Sequence, residues 1–164
     1  MNVRIIYGSN GGATADVAED LRSRLGGEIV NVSQAGAPTL EDADLLVIGA
    51  STWGYGEIQE DMEEFLPTIA AAALTGRKVA IFGLGDQEGY DDTFVDGIGD
   101  IYDAAVKAGA TVIGQVPTDG YDYSASKAER DGRFVGLPID QNNQDDLTGE
   151  RLDTWVAQLR QEIS

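Results

Sequence analysis

Val3-Arg4-Ile5-Ile6-Tyr7-Gly8-Ser9-Asn10-Gly11-Gly12-Ala13-Thr14 is the stretch that decides how this chain folds. The apolar, β-branched run Val3–Tyr7 reads as a buried strand and breaks into Gly, Ser, Asn and Gly. A helical pattern then opens at about Gly12 and runs to Leu25, with Val17, Ala18, Leu21 and Leu25 on one face and Gly26-Gly27 closing it. A strand feeding a Gly-rich turn at a helix N-terminus leaves backbone N–H groups unpaired and aimed at one spot. The helix dipole adds partial positive charge there, so the turn can hold a phosphate. It has no Lys, so it is not the G-x-x-x-x-G-K-[ST] loop, and it has no G-x-G-x-x-G. The next strand, Glu28-Ile29-Val30-Asn31, ends without the acid that would hold a ribose hydroxyl. A neutral loop of hydroxyl, amide and backbone donors suits one terminal phosphate, and the plainer alternative is that it is only a turn.

Outward from this stretch, strands and helices alternate. Strand two is Glu28–Val32, and Ser33–Ala43, broken by Gly36 and Pro38, allows at most one helical turn. Leu45–Ala50 is continuously apolar, as in a central parallel strand covered on both faces. A helix is predicted over Gln59–Leu74 with a bend at Pro67, a fourth strand over Lys78–Phe82, and a helix over Thr93–Ala108 ending at Gly109. The fifth strand is Thr111–Val116, and the last helix, Leu147–Ile163, places Leu152, Trp155, Val156, Leu159 and Ile163 on one face. The expected fold is α/β, a doubly wound five-stranded parallel sheet in the order 2-1-3-4-5 with helices on both faces. Thr118–Gly132 is polar and turn-rich, and Arg133–Ile139 then resumes as a strand. A long loop interrupting edge strand five explains this, and loops of that length are usually functional or interfacial.

Composition bounds the chemistry. The 164 residues make one domain, 1–164, with no apolar run of membrane-spanning length and no signal pattern, so a cytoplasmic location is expected. There is no Cys and no His, which removes thiolate chemistry, thiolate metal sites and the side chain that titrates near neutrality. Neither a catalytic residue nor a metal ligand set is expected; if the chain does chemistry, a cofactor supplies it. The net charge of −18 argues against nucleic acid and anionic membranes and suits basic protein partners. Solubility or adaptation to salt is the rival explanation, and eight Arg against three Lys is compatible with it.

In open parallel sheets, ligands bind outside the carboxyl ends of the strands at the switch point between strands one and three. Three loops meet there: the phosphate turn, Ser51-Thr52-Trp53-Gly54-Tyr55-Gly56-Glu57, and Gly83-Leu84-Gly85-Asp86-Gln87-Glu88-Gly89-Tyr90-Asp91-Asp92. Trp53 and Tyr90, each beside glycines, suit two planes gripping a flat ring, whereas Trp155 on an amphipathic stripe reads as core. Tyr121 and Tyr123 pack the long loop or face a partner.

With these residues in view, the chain resembles the flavodoxin family. The phosphate turn is similar to the family's T-x-T-G-x-T loop, Thr52-Trp53 to its Trp loop, and Gly85-Asp86-Gln87-x-Gly89-Tyr90 to its Tyr loop. The excursion with Thr118-Asp119-Gly120-Tyr121-Asp122 and Phe134-Val135-Gly136-Leu137 resembles that of the long-chain members. The resemblance covers essentially the whole chain and implies a single FMN-binding domain over 1–164 that carries one electron at a time between redox proteins. It implies that Ser9, Asn10, Gly11, Gly12, Ala13 and Thr14 hold the phosphate of a non-covalent FMN. Thr52 would reach the ribityl chain or phosphate side, Trp53 and Tyr90 would sandwich the isoalloxazine, and Leu84 and Gly56 belong to the same implied cofactor-binding set. Backbone at Gly85, Asp86, Gly54 and Tyr55 would address the ring, and Asp140 a ribityl hydroxyl. The implied partners are basic redox proteins, such as a ferredoxin/flavodoxin–NADP reductase and an acceptor enzyme, with the carrier itself a monomer.

The chain departs from the family pattern at Gly11, which removes one hydroxyl donor, at Ala13, and at Gly54. An acidic shell makes the carrier a low-potential one. One carboxylate ~10 Å from added negative charge, at an effective ε of ~40, costs about 0.8 kcal/mol. At ~59 mV per tenfold change, a few such charges lower the couple by about 100 mV. Glu57, Glu60, Asp61, Glu63, Glu64, Asp91 and Asp92 flank the proposed edge and could dock a basic partner. A phosphoacceptor receiver would need an Asp at the end of strand three, where Ala50-Ser51-Thr52 has none. The remaining alternative is an FMN-dependent NAD(P)H quinone or azo reductase.

Overall fold

The computed structural model describes residues 2–163. β1 (Val3–Gly8) runs through the Gly-rich turn into α1 (Ala13–Leu25), whose C-cap Gly26 donates its N–H to Arg22 O at 2.8 Å. β2 (Glu28–Asn31) follows, then short 3-10 turns over Val32–Gln34 and Ala37–Leu40 where at most one turn was expected. β3 (Leu45–Trp53) runs three residues past the apolar stretch, to the proposed ring-stacking tryptophan. β4 (Glu57–Ile58), which periodicity did not reveal, turns back antiparallel on the end of β3, pairing Thr52 with Ile58 and Trp53 with Glu57. α2 (Glu60–Ala71) then leads to β5 (Lys78–Leu84), and α3 (Asp96–Lys107) to β6 (Thr111–Ile113).

The expected sheet order is present. β2-β1-β3-β5 are all parallel, and the fifth position is shared by two segments. β6 pairs with Lys78–Ala80 of β5, and a later strand, β10 (Leu137–Ile139), pairs in parallel with Phe82–Leu84 of the same strand. The long loop therefore interrupts the edge strand, as expected. Its details differ. Val116 leaves the fifth strand to start β7 (Val116–Pro117), which forms a three-stranded antiparallel sheet with β8 (Glu129–Arg130) and β9 (Arg133–Phe134). The run Arg133–Ile139 is thus divided between two sheets rather than forming one strand. Gly136 sits at the division, where a Cβ would meet Ile81 O at 2.4 Å.

α4 (Thr148–Ile163) closes the chain, packing against α1 as α2 packs against α3. Every residue of Leu45–Ser51 is buried, so helices cover both faces of the sheet at β3. Trp155 is 1% exposed and donates Nε1–H to Gly114 O at 2.8 Å, a core residue as its helical stripe implied. The excursion is held by an aromatic cluster. Phe134 lies 5.2 Å between ring centroids from both Tyr121 and Tyr123, and Phe94 packs against all three. Burial pushes the Tyr121 phenol up to about 12, and its hydroxyl donates to Pro138 O at 2.6 Å. Among the described residues, no helix is long and apolar enough to cross a membrane.

Candidate functional site

The turn after β1 ends at Gly12, the N-cap of α1, with φ of 93°, a conformation that glycine adopts without a Cβ penalty. Its N–H donates to Ser9 Oγ at 3.1 Å, and its carbonyl accepts the first helical bond, from Asp16 N at 2.9 Å. Among the described residues, the N–H groups of Asn10, Gly11, Ala13, Thr14 and Ala15 have no protein acceptor. Unpaired donors at a helix start face either water or an anion, and four of these residues, Asn10, Gly11, Ala13 and Thr14, line one cavity together with Ser9.

The same cavity is walled by Ser51, Thr52 and Trp53 from the end of β3, and by Leu84, Gly85, Asp86 and Tyr90 from the loop after β5. Trp53 is 48% and Tyr90 45% exposed, unlike the buried Trp155. Two large aromatic side chains, each left half in water, line the same cleft without being part of the core. A flat ring between them would restore the contact area.

Further structure fixes these loops. Thr52 Oγ1 accepts the N–H of Gly97 at the start of α3, at 2.9 Å, leaving its own proton free to donate. Gly54 and Gly56 both have positive φ in the hairpin between β3 and β4, and a Cβ on Gly56 would meet Asp96 Oδ2 at 2.7 Å. In the loop after β5, Asp86 Oδ1 accepts the N–H groups of Glu88 and Gly89 at 3.1 and 2.8 Å, with Asn142 and Asn143 amides on the same carboxylate. These bonds, the Gly89 one foremost, hold the Asp86 carboxyl below the usual carboxylate range.

Several expected contacts change. Asp140 does not line the cavity; it is 0% exposed, and both carboxylate oxygens accept protein donors from Gln87, Asn142 and Asn143. An acid after a strand is placed by its hydrogen bonds, and here they are all internal. Gly85 spends its N–H on Ile139 O at 3.1 Å, so only its carbonyl remains for a ligand. The Asp86 carbonyl accepts from Tyr90 N at 2.9 Å, leaving its N–H. Gly12, Gly54, Tyr55 and Gly56 shape the walls without lining the cavity, and Tyr55 is 93% exposed at the hairpin tip.

Sequence reasoning missed Ser51, Gln141 and Asn142, which line the cavity. Ser51 Oγ is buried with no protein partner, an unspent hydroxyl beside a turn that lacks one at Gly11. The amide-rich run Gln141-Asn142-Asn143 directly after a strand at the carboxyl edge was the available signal for the other two.

Comparison with known proteins agrees with this geometry. The family model described as Flavodoxin matches residues 5–155. The chain is 41% identical over 162 residues to a flavodoxin of Picosynechococcus sp., covering 96% of this chain and 95% of that one. It is 40% identical over 163 residues to flavodoxin 1 of Escherichia coli, covering 97% and 93%. A solved structure of Fusobacterium nucleatum flavodoxin bound to flavin mononucleotide is similar over 99% of both chains, with a TM-score of 0.94 and 28% identity. None of these relatives is named as a quinone or azo reductase.

Proposed function

This chain belongs to the flavodoxin family, and we propose that it is an electron carrier that holds one non-covalent FMN and moves single electrons between redox proteins. It is an electron-transfer protein rather than an enzyme, and the quinone or azo reductase alternative is not favoured. The observation that carries the reading is a cleft lined both by Trp53 and Tyr90 and by four residues around the start of α1, Asn10, Gly11, Ala13 and Thr14, whose N–H groups have no protein acceptor.

When bound, the flavin supplies reversible one-electron oxidation and reduction. The single domain, 1–164, does the rest. The Ser9–Thr14 turn holds the phosphate with backbone donors, joined by the hydroxyls of Ser51 and Thr52. The amides of Gln141 and Asn142 reach the ribityl chain. Trp53 and Tyr90 cover the two ring faces and exclude water, which favours the uncharged ring. The Gly85 carbonyl and the Asp86 N–H address the ring edge, and the Gly54-Tyr55 peptide shapes the wall that carries Trp53. Asp140 acts behind this layer, holding the Tyr90 loop in place.

Glu57, Glu60, Glu63 and Glu64, on the β4 and α2 segments that follow Trp53, and Asp91 and Asp92, directly after Tyr90, are all exposed. They make the carrier low in potential and suit basic redox partners, a reductase on one side and an acceptor enzyme on the other, met by a monomer in the cytoplasm. Purified protein loaded with FMN is expected to take up electrons in two separate one-electron stages during photoreduction. Uptake of both electrons in one stage, with rapid turnover of quinone by NAD(P)H alone, would overturn the carrier reading in favour of a reductase.

A further inference from the structure

Gln59 is an unusual residue to find fully buried, and no motif accounts for it. It is 0% exposed and lies over the end of β1, where a Cβ on Gly8 would meet its Oε1 at 2.1 Å. Its backbone N–H donates to Ser51 O at 2.9 Å, and its carbonyl accepts from Glu63 N at 2.9 Å. The two ends of its amide do different work. Oε1 caps α2 by accepting the N–H of Met62 at 3.0 Å. Nε2 donates to Asn10 Oδ1 at 3.0 Å and to Asp61 Oδ2 at 3.1 Å, which uses both of its hydrogens.

The bond to Asn10 has a directional consequence. An Asn amide has an acceptor end and a donor end, and only the donor end favours an anion. With Oδ1 turned to Gln59, Asn10 keeps its Nδ2 donor without a protein acceptor at the wall of the cavity. Reversed, the same amide would present an oxygen lone pair to a phosphate oxygen. Asn10 is otherwise exposed, and no other side chain among the described residues bonds it.

We infer that Gln59 is a positioning residue that selects the amide orientation of Asn10, so that the turn after β1 discriminates a phosphorylated flavin from an unphosphorylated one. The inference rests on the FMN reading of this cavity. It predicts an asymmetric effect of an isosteric change. Gln59→Glu keeps the oxygen that caps α2 but puts an acceptor where Nε2 stood, opposite Asn10 Oδ1. Asn10 then turns its donor inward and its oxygen toward the phosphate.

The test is the ratio of FMN to riboflavin affinity, measured by flavin fluorescence quenching on the full chain freed of flavin. The unaltered chain prefers FMN. Gln59→Glu is expected to lower that preference by roughly ten- to a hundredfold, the range for losing one hydrogen bond to a charged group, with riboflavin affinity unchanged. Asn10→Ala is expected to lose the same preference, and adding Gln59→Glu to it should change nothing further. If the new carboxylate beside Asp61 unfolds the protein, Gln59→Glu in an Asp61→Asn background removes that repulsion and must show the same loss. A Gln59→Glu chain that keeps its FMN preference, or loses both flavins in equal measure, overturns the inference alone. Equal affinity of the unaltered chain for both flavins overturns the phosphate site and this inference with it.

Discussion

Asp140 Oδ2 accepts both the backbone N–H and the side-chain Nε2–H of Gln87, at 3.1 and 2.7 Å. Through this pair the loop that carries Tyr90 is fastened to the turn after β10, and Gln87 Oε1 extends the tie to Asp122 N at 2.7 Å in the excursion. The second oxygen of Asp140 accepts the N–H groups of Asn142 and Asn143. Asp140→Asn replaces one of these acceptors with a donor facing donors. It should destabilise the protein by about 2–3 kcal/mol, the cost of stranding buried donors, and weaken flavin binding as the Tyr90 loop loosens. Urea denaturation measures the first effect; a loss under about 0.5 kcal/mol would place Asp140 outside the support of this loop.

Gly11 and Gly12 should respond in opposite directions. A Cβ at either meets nothing within 4 Å, so crowding by the protein does not decide the outcome; backbone conformation does. Gly12 has φ of 93°, so Gly12→Val is expected to abolish FMN retention and cost about 1–2 kcal/mol of strain. Gly11 lacks a positive φ, and Gly11→Thr should tighten FMN by ~1–2 kcal/mol by adding a hydroxyl donor. Titration of both variants with FMN, with far-UV circular dichroism to confirm the fold, checks the pair.

The two tryptophans should separate cleanly. Trp155→Ala removes a fully buried ring and its bond to Gly114, and should cost about 3–5 kcal/mol of stability. Trp53→Ala removes a half-exposed ring and should leave stability nearly unchanged while weakening FMN and restoring part of its fluorescence. A Trp155→Ala chain with altered flavin spectrum but unchanged melting would reverse the assignment.

Asp96 supplies a pH signature. Burial pushes its carboxyl up from 3.8, although Oδ1 accepts the Lys127 N–H at 2.8 Å. A carboxyl with a raised folded-state pKa binds protons more tightly folded than unfolded. Stability is therefore lost as pH rises from the unfolded value through the folded one. Asp96→Asn keeps an acceptor for Lys127 and cannot ionise. Its melting temperature should exceed that of the unaltered chain at neutral pH, and the gain should vanish below pH 3.8, where both carboxyl states are protonated. Thermal melts across that range decide it, and an equal gain at all pH values would show that ionisation is not the cause.

How much of this was legible in the sequence follows from the range over which each signal acts. The parallel sheet and its order came from apolar runs such as Leu45–Ala50, because burial on both faces leaves a continuous local trace. Trp53 and Trp155 could be told apart because one lies on a helical stripe and the other among glycines past a strand. The split of Arg133–Ile139 could not, since apolar alternation does not record which sheet supplies the hydrogen bonds. Asp140 and Gln59 were misjudged or missed for a related reason. A polar side chain beside a strand looks the same in sequence whether it faces a ligand or is buried among partners 53 and 49 residues away.

The central claim is that this chain is built around FMN, gripped at its phosphate by the turn after β1. The most direct measurement is the identity and amount of flavin released by denaturation, after the purified chain is incubated with a mixture of FMN, FAD and riboflavin and then desalted. One FMN per chain, with FAD and riboflavin absent, is the expected result. Retention of FAD or riboflavin in preference to FMN, or of no flavin at all, would contradict it.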